Sequence, residues 1–109
     1  MGLPDGITVD HFHTGASLLD CAEESVLRLR TAALFVGVTR RDELSGAQGT
    51  GLVQTLRLVK WPHRLFRAEA YFRLKPGGVL RVVGDAPEDR EAEMRAELAD
   101  FLTGLQVTR

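Results

Sequence analysis

Hydrophobic and polar residues alternate most cleanly from Leu65 to Leu74. Phe66, Ala68, Ala70, Phe72 and Leu74 form one row, and Arg67, Glu69, Tyr71 and Arg73 form the other. A period of two marks a strand that buries one face. Lys75-Pro76-Gly77-Gly78 follows as a tight turn, in which Pro sets φ and Gly supplies φ > 0, and Val79 to Val83 returns as the partner strand. Upstream, Leu52 to Lys60 also alternates, with Leu52, Gln54, Leu56 and Leu58 against Val53, Thr55, Arg57 and Val59, until Pro62 ends the ladder. Three strands joined this way make a meander.

The rest of the chain reads less sharply. Ile7, Val9 and His11 alternate with Thr8, Asp10 and Phe12 in a short strand. Residues 16–30 repeat Leu18, Leu19, Ala22, Val26 and Leu29 at helical spacing, while Val26 to Arg30 also alternates in part as a strand; the helix is favoured because its stripe is longer. The apolar run Ala32 to Thr39 suggests a central strand covered on both faces. Arg40 to Gly51, with its three glycines, reads as a long loop. A last helix begins at Asp85 as N-cap, carries Pro87 and Glu88 in its first turn, and buries Met94, Leu98, Phe101, Leu102 and Leu105, with Gly104 as a C-cap. The predicted fold is one α+β domain over residues 1–109. It is an antiparallel β-sheet of four or five strands with one or two helices packed on one face, the other face being open.

Charge and cysteine usage narrow the possibilities. A net charge of −1 gives no bulk attraction for nucleic acid or an anionic membrane. Cys21 is the single cysteine, so no intrachain disulfide can form. No charged-then-apolar leader and no apolar run approaching about 18 residues is present. A cytoplasmic location, no membrane partner and no cofactor are therefore expected.

Candidate chemistry is sparse. His11 and His13 share a strand face and could both reach a metal, with Asp10, Asp20, Cys21 or His63 as a third ligand, but the spacing does not demand one. Cys21 is flanked by Asp20, Glu23 and Glu24, which oppose a thiolate, and reads as a packed small apolar residue. Leu74-Lys75-Pro76-Gly77-Gly78 is similar to a late turn of class I methyltransferases, yet that family's Gly-rich loop, acidic ribose-binding residue and large doubly wound sheet are all missing, so a hairpin turn is the simpler account. Arg57, Arg64, Arg67, Arg73 and Arg81 all lie on the meander and its turns. With Tyr71 among them and Trp61 at the edge, they would make a basic and aromatic sheet face. The expected function is a non-catalytic binding or adaptor protein acting through that face on a protein partner or on itself as a homodimer. The alternatives are a small enzyme or ligand-binding protein with a pocket between the sheet and residues 16–30, using His11, His13 or Cys21, and RNA binding through the arginine face.

Several segments resemble the PsbP-like superfamily, which includes the DcrB-type bacterial domains. The matching residues are Phe66-Arg67-Ala68-Glu69-Ala70-Tyr71-Phe72, Pro76-Gly77-Gly78, Val79 to Val83, Ala86-Pro87-Glu88 and Leu98 to Leu105, together with the opening Leu3-Pro4-Asp5-Gly6, after which Ile7 replaces the family's aromatic residue. The resemblance covers about half of the chain. It implies non-enzymatic roles in binding, assembly or chaperoning of a protein partner, and it carries over no functional residue.

Overall fold

The turn at Trp61–Pro62 is two residues long, so Lys60 pairs with His63 and the whole register of the central hairpin follows from it. The computed structural model describes residues 6–46, 49–74 and 77–104. In chain order the elements are β1 (Ile7–His13), α1 (Leu18–Arg30), β2 (Phe35–Gly46), β3 (Gly49–Lys60), β4 (His63–Leu74), β5 (Gly78–Pro87), a short 3-10 turn (Glu88–Arg90) and α2 (Glu91–Gly104). All five strands join one antiparallel sheet in the order β1-β5-β4-β3-β2. The fold is α+β, and β3, β4 and β5 form the expected meander. Gly77 takes φ of 90°, as its turn requires; Lys75 and Pro76 lie outside the described residues, as do Leu3 to Asp5 and Leu105.

Cross-strand partners share a face. On one face Leu52, Gln54, Leu56 and Leu58 stand opposite Tyr71, Glu69, Arg67 and Leu65. On the other, Gly51, Val53, Thr55 and Arg57 stand opposite Phe72, Ala70, Ala68 and Phe66. Helix α1 covers the first face. Its Cys21 and Ala22 pack with Leu52, Tyr71 and Val79, and its Val26 packs with Val36, Leu56 and Leu58. Helix α2 covers the second, where Met94 and Leu98 pack with Ile7, Phe66, Ala68, Ala70, Phe72 and Val82. The two helices therefore lie on opposite faces of the sheet, not together on one face. The physical reason is that both rows of β4 have something to bury: phenylalanines and alanines on one side, the leucine row of β3 on the other.

Three further expectations change. The run Ala32 to Thr39 is not a central strand, because β2 starts at Phe35 and is the sheet's edge. The expected loop Arg40 to Gly51 is mostly ladder, with a bulge between Val38 and Arg40; its charged residues are accommodated because an edge strand meets water. Residues 47–48 are outside the described set. Asp85 does not cap α2 but belongs to β5, where it pairs with Arg67, and the helix is preceded by the 3-10 turn after Pro87. The capping at the start of α1 is as its sequence suggests, with Ser17 Oγ accepting from the Asp20 amide at 3.0 Å.

Candidate functional site

Beneath α1 lies a polar cluster that the row pattern had marked as solvent-facing. Glu69 is 0% exposed. Its Oε2 accepts from Ser25 Oγ at 2.7 Å and Arg67 Nε at 2.8 Å, and its Oε1 accepts from Gln54 Nε2 at 2.6 Å and Tyr71 Oη at 2.8 Å. Gln54 Nε2 also donates to the Ala22 carbonyl at 3.0 Å, and its Oε1 accepts from Arg41 Nε at 2.9 Å. The cluster thus ties α1 to β3 and β4 through two polar links. Burial alone would raise the Glu69 carboxyl; the bonds from Ser25 and Gln54 and the Arg67 charge outweigh it and hold the pKa below the ordinary value. Burial, with the Glu69 charge beside it, pushes the Tyr71 hydroxyl far up. Neither group is poised to exchange a proton near neutral pH. The sequence did carry a signal for this cluster: Gln54 interrupts a leucine row and falls opposite Glu69 in the register.

The candidate binding residues do not assemble on one surface. Tyr71 is 0% exposed. Arg67 is largely buried and reaches Asp85 at 3.3 Å as well as Glu69. Arg73 Nη1 donates to the Thr14 carbonyl at 2.8 Å and Nη2 to the Ala16 carbonyl, pinning the link between β1 and α1. Arg81 pairs with Asp10 at 2.5 Å and lies over the Phe12 ring at 5.9 Å. These four belong to the α1 face. Arg57 is on the α2 face, bound to Glu88 at 3.2 Å and Glu91 at 2.9 Å. Arg64 pairs with Val59 in the ladder and is exposed, and Trp61 stands on the turn beside it. The expected open basic face is thus roofed by α1, and its arginines are tied internally; the stacking platform for RNA is not formed.

His11 and His13 do sit together, on the exposed edge strand β1, with ring centroids 5.1 Å apart in an edge-on arrangement. Among the described residues no third His, Cys, Asp or Glu joins them in a metal-sized group. Between β1 and α1 runs a cleft of about 520 Å³ whose walls include Asp10, Phe12, Cys21, Glu24, Arg28 and Arg81. Cys21 is buried at its floor, and burial raises its thiol pKa. That is the opposite of what a thiolate nucleophile needs.

The surface that does stay open is elsewhere. Helix α2 packs chiefly on β5 and meets the β2–β3 half of the same sheet face at Arg57, through Glu91. Leu44, Val53 and Val59 are half-buried there, and Thr39, Arg40, Asp42 and Arg57 are exposed. Arg40 pairs with Asp42 at 2.6 Å.

Comparison with known proteins adds the fold. No family model matches the chain, and no curated protein matches it. The chain is similar to a solved protein of unknown function from Pseudomonas aeruginosa, PA94, described as a candidate regulator, with a TM-score of 0.70 over 98% of this chain and 90% of that one at 9% identity. A likeness at that identity concerns the architecture alone.

Proposed function

We propose that this protein is a non-catalytic binding module. It acts through the half of the sheet face that α2 leaves uncovered, on a protein partner or on a second copy of itself. One observation carries the reading: the β2–β3 half-face exposes part of Leu44, Val53 and Val59 around a polar centre and ends at β2, the outermost strand of the sheet, unpaired on its outer side among the described residues. A surface of that kind suits a polypeptide that adds to the edge and covers the aliphatic residues. The internal engagement of Glu69, Tyr71, Arg67 and Arg73 also favours binding over chemistry, because it leaves these groups serving the fold.

The test pairs light scattering with a charge swap, Arg40→Glu combined with Asp42→Lys, which alters the half-face without touching the core. The expected result is either a doubled solution mass that the swap returns to one chain, or a stoichiometric partner recovered by cross-linking to the native protein and lost with the swap. A monomer with no such partner, in both forms, refutes the proposal. The cleft between β1 and α1 keeps a second reading in play, that of a small-ligand site. Thermal shift with a metabolite set separates the two, since stabilisation abolished by Arg81→Ala belongs to the cleft alone.

A further inference from the structure

The end of the sheet where β2 starts and β3 turns into β4 collects side chains that the fold does not use. Trp61 is 81% exposed, Leu34 74% and Phe35 58%. They share one end because the Leu34 amide donates to the Val59 carbonyl at 2.8 Å, Phe35 pairs with Val59, and Trp61 follows Lys60 directly. A shallow hollow lined by Thr31, Ala32, Ala33, Leu34, Lys60 and Trp61 joins Leu34 to Trp61, and Phe35 stands beside Val59 next to it.

Basic residues ring this apolar tip. Arg30 ends α1, Lys60 ends β3, and Arg64 is the second residue of β4; all three are exposed. None of them takes part in the ion pairs formed among the described residues, which instead engage Arg28, Arg40, Arg57, Arg67, Arg81, Arg90 and Arg95. Of the acids nearby, Asp85 is held by Arg67 and also feels the Lys60 charge, Glu88 is held by Arg57, and Asp89 lies across a groove from His63 and Arg64. The tip is therefore positive on a protein whose net charge is −1.

Side chains exposed to this degree, around a hollow that is only shallow, keep most of their area in solvent. A rigid protein surface would need cavities to receive them, whereas the headgroup region of a bilayer deforms around them. Tryptophan favours that region, where its ring is buried and its N–H stays wet. Lys and Arg at the rim meet anionic headgroups within the Debye length of about 8 Å. We infer that this tip docks the protein peripherally on an anionic lipid membrane surface. Trp61, Leu34 and Phe35 enter the headgroup boundary, and Arg30, Lys60 and Arg64 contact lipid phosphates. Docking is peripheral, since no helix among the described residues is long and apolar enough to cross a membrane. The tip adjoins the proposed binding half-face at the Phe35–Val59 pair, and variants at Leu34, Lys60, Trp61 and Arg64 leave Arg40 and Asp42 of that half-face untouched.

Trp61 is the chain's single tryptophan, so its emission reports on this tip alone. The full-length protein is titrated with vesicles of phosphatidylcholine and with vesicles that also contain phosphatidylglycerol. The expected result is a blue shift and co-sedimentation with the anionic vesicles only, weakening as salt rises. Lys60→Glu with Arg64→Glu, and separately Leu34→Ser with Trp61→Ser, each reduce sedimentation about tenfold or more, while circular dichroism shows the fold retained. Absence of sedimentation with the anionic vesicles overturns the inference, as does equal binding to the neutral ones. A blue shift that grows with protein concentration without lipid, together with a doubled solution mass, also overturns it, because a second copy then covers the tip.

Discussion

Replacing Glu69 by glutamine keeps the shape of the buried cluster and removes its charge. In the native protein both carboxylate oxygens accept two bonds each, from Ser25 and Arg67 on one and Gln54 and Tyr71 on the other. The new amide has one accepting oxygen and one donating nitrogen. Hydroxyls can turn to accept from that nitrogen, but the Arg67 guanidinium and the Gln54 amide nitrogen cannot, so one of them is stranded in either orientation. A stranded buried donor costs about 1–3 kcal/mol. Arg67 is cushioned by Asp85, and Gln54 by the Ala22 carbonyl, which favours the lower half of that range. The surviving bonds also lose their charge assistance, which roughly halves their strength. The expected loss at pH 7 is about 2–3 kcal/mol, or a fall in Tm of roughly 10–20 °C. Urea unfolding followed by far-UV circular dichroism measures it. The pH dependence gives a second readout. Because the folded state holds Glu69 below its ordinary pKa, the unfolded chain takes up the proton first on acidification. The stabilisation is complete above about pH 4.3 and is lost as pH falls through the folded value. The gap between native and variant should therefore close in acid. A loss under about 1 kcal/mol at pH 7, or a gap that does not narrow below about pH 4, refutes the account.

Other substitutions follow from the same packing. Ser25→Ala removes the hydroxyl that α1 gives to Glu69 and should cost about 1–2 kcal/mol, with amide exchange rising in α1 before β3 and β4. Phe66→Ala, deep under α2, should cost about 3–5 kcal/mol in urea unfolding. Gly51→Ala should cost about 1–3 kcal/mol, since a Cβ there would come within 2.8 Å of the Phe72 ring and 2.9 Å of the Tyr71 carbonyl oxygen; an unchanged Tm for this variant would mean that the ring moves freely aside.

Much of the sheet was legible in the alternation of β3, β4 and β5, because each strand has a row that must be buried and period two says which residues belong to it. The placement of the helices was legible too, through register rather than hydropathy. With Lys60 opposite His63, Leu58 must face the same way as Leu65, and Leu52 the same way as Tyr71. The leucine row of β3 then shares its face with Arg67, Glu69 and Tyr71, and a face carrying three leucines calls for a helix over it. Hydropathy of β4 alone hides this, since its polar row is balanced by the apolar row of a neighbour. The edge strand was misread for the converse reason. Arg40, Arg41, Asp42 and Glu43 look like loop residues, but an edge strand tolerates charge on its exposed positions and uses it to discourage further pairing.

The same contrast between local pattern and three-dimensional placement governs the candidate sites. Leu34 and Phe35 belong to an apolar run and so look like core; they become surface because β2 begins at the end of the sheet, where neither helix extends over them. Arg67, Arg73 and Arg81 look like a solvent-facing row and instead are drawn inward, because each finds an acceptor on an adjacent element, respectively Asp85, the β1–α1 link and Asp10. That inward traffic shifts the free positive charge to Arg30, Lys60 and Arg64, beside the exposed tryptophan. A total of −1 argues against attraction to an anionic surface only if charge is spread evenly. Here Asp10, Asp42, Glu69, Asp85, Glu88 and Glu91 are engaged by arginines along the sheet, while Arg30, Lys60 and Arg64 at one end of the sheet form no ion pair among the described residues. Screening over about 8 Å makes a docking surface respond to that local excess rather than to the sum.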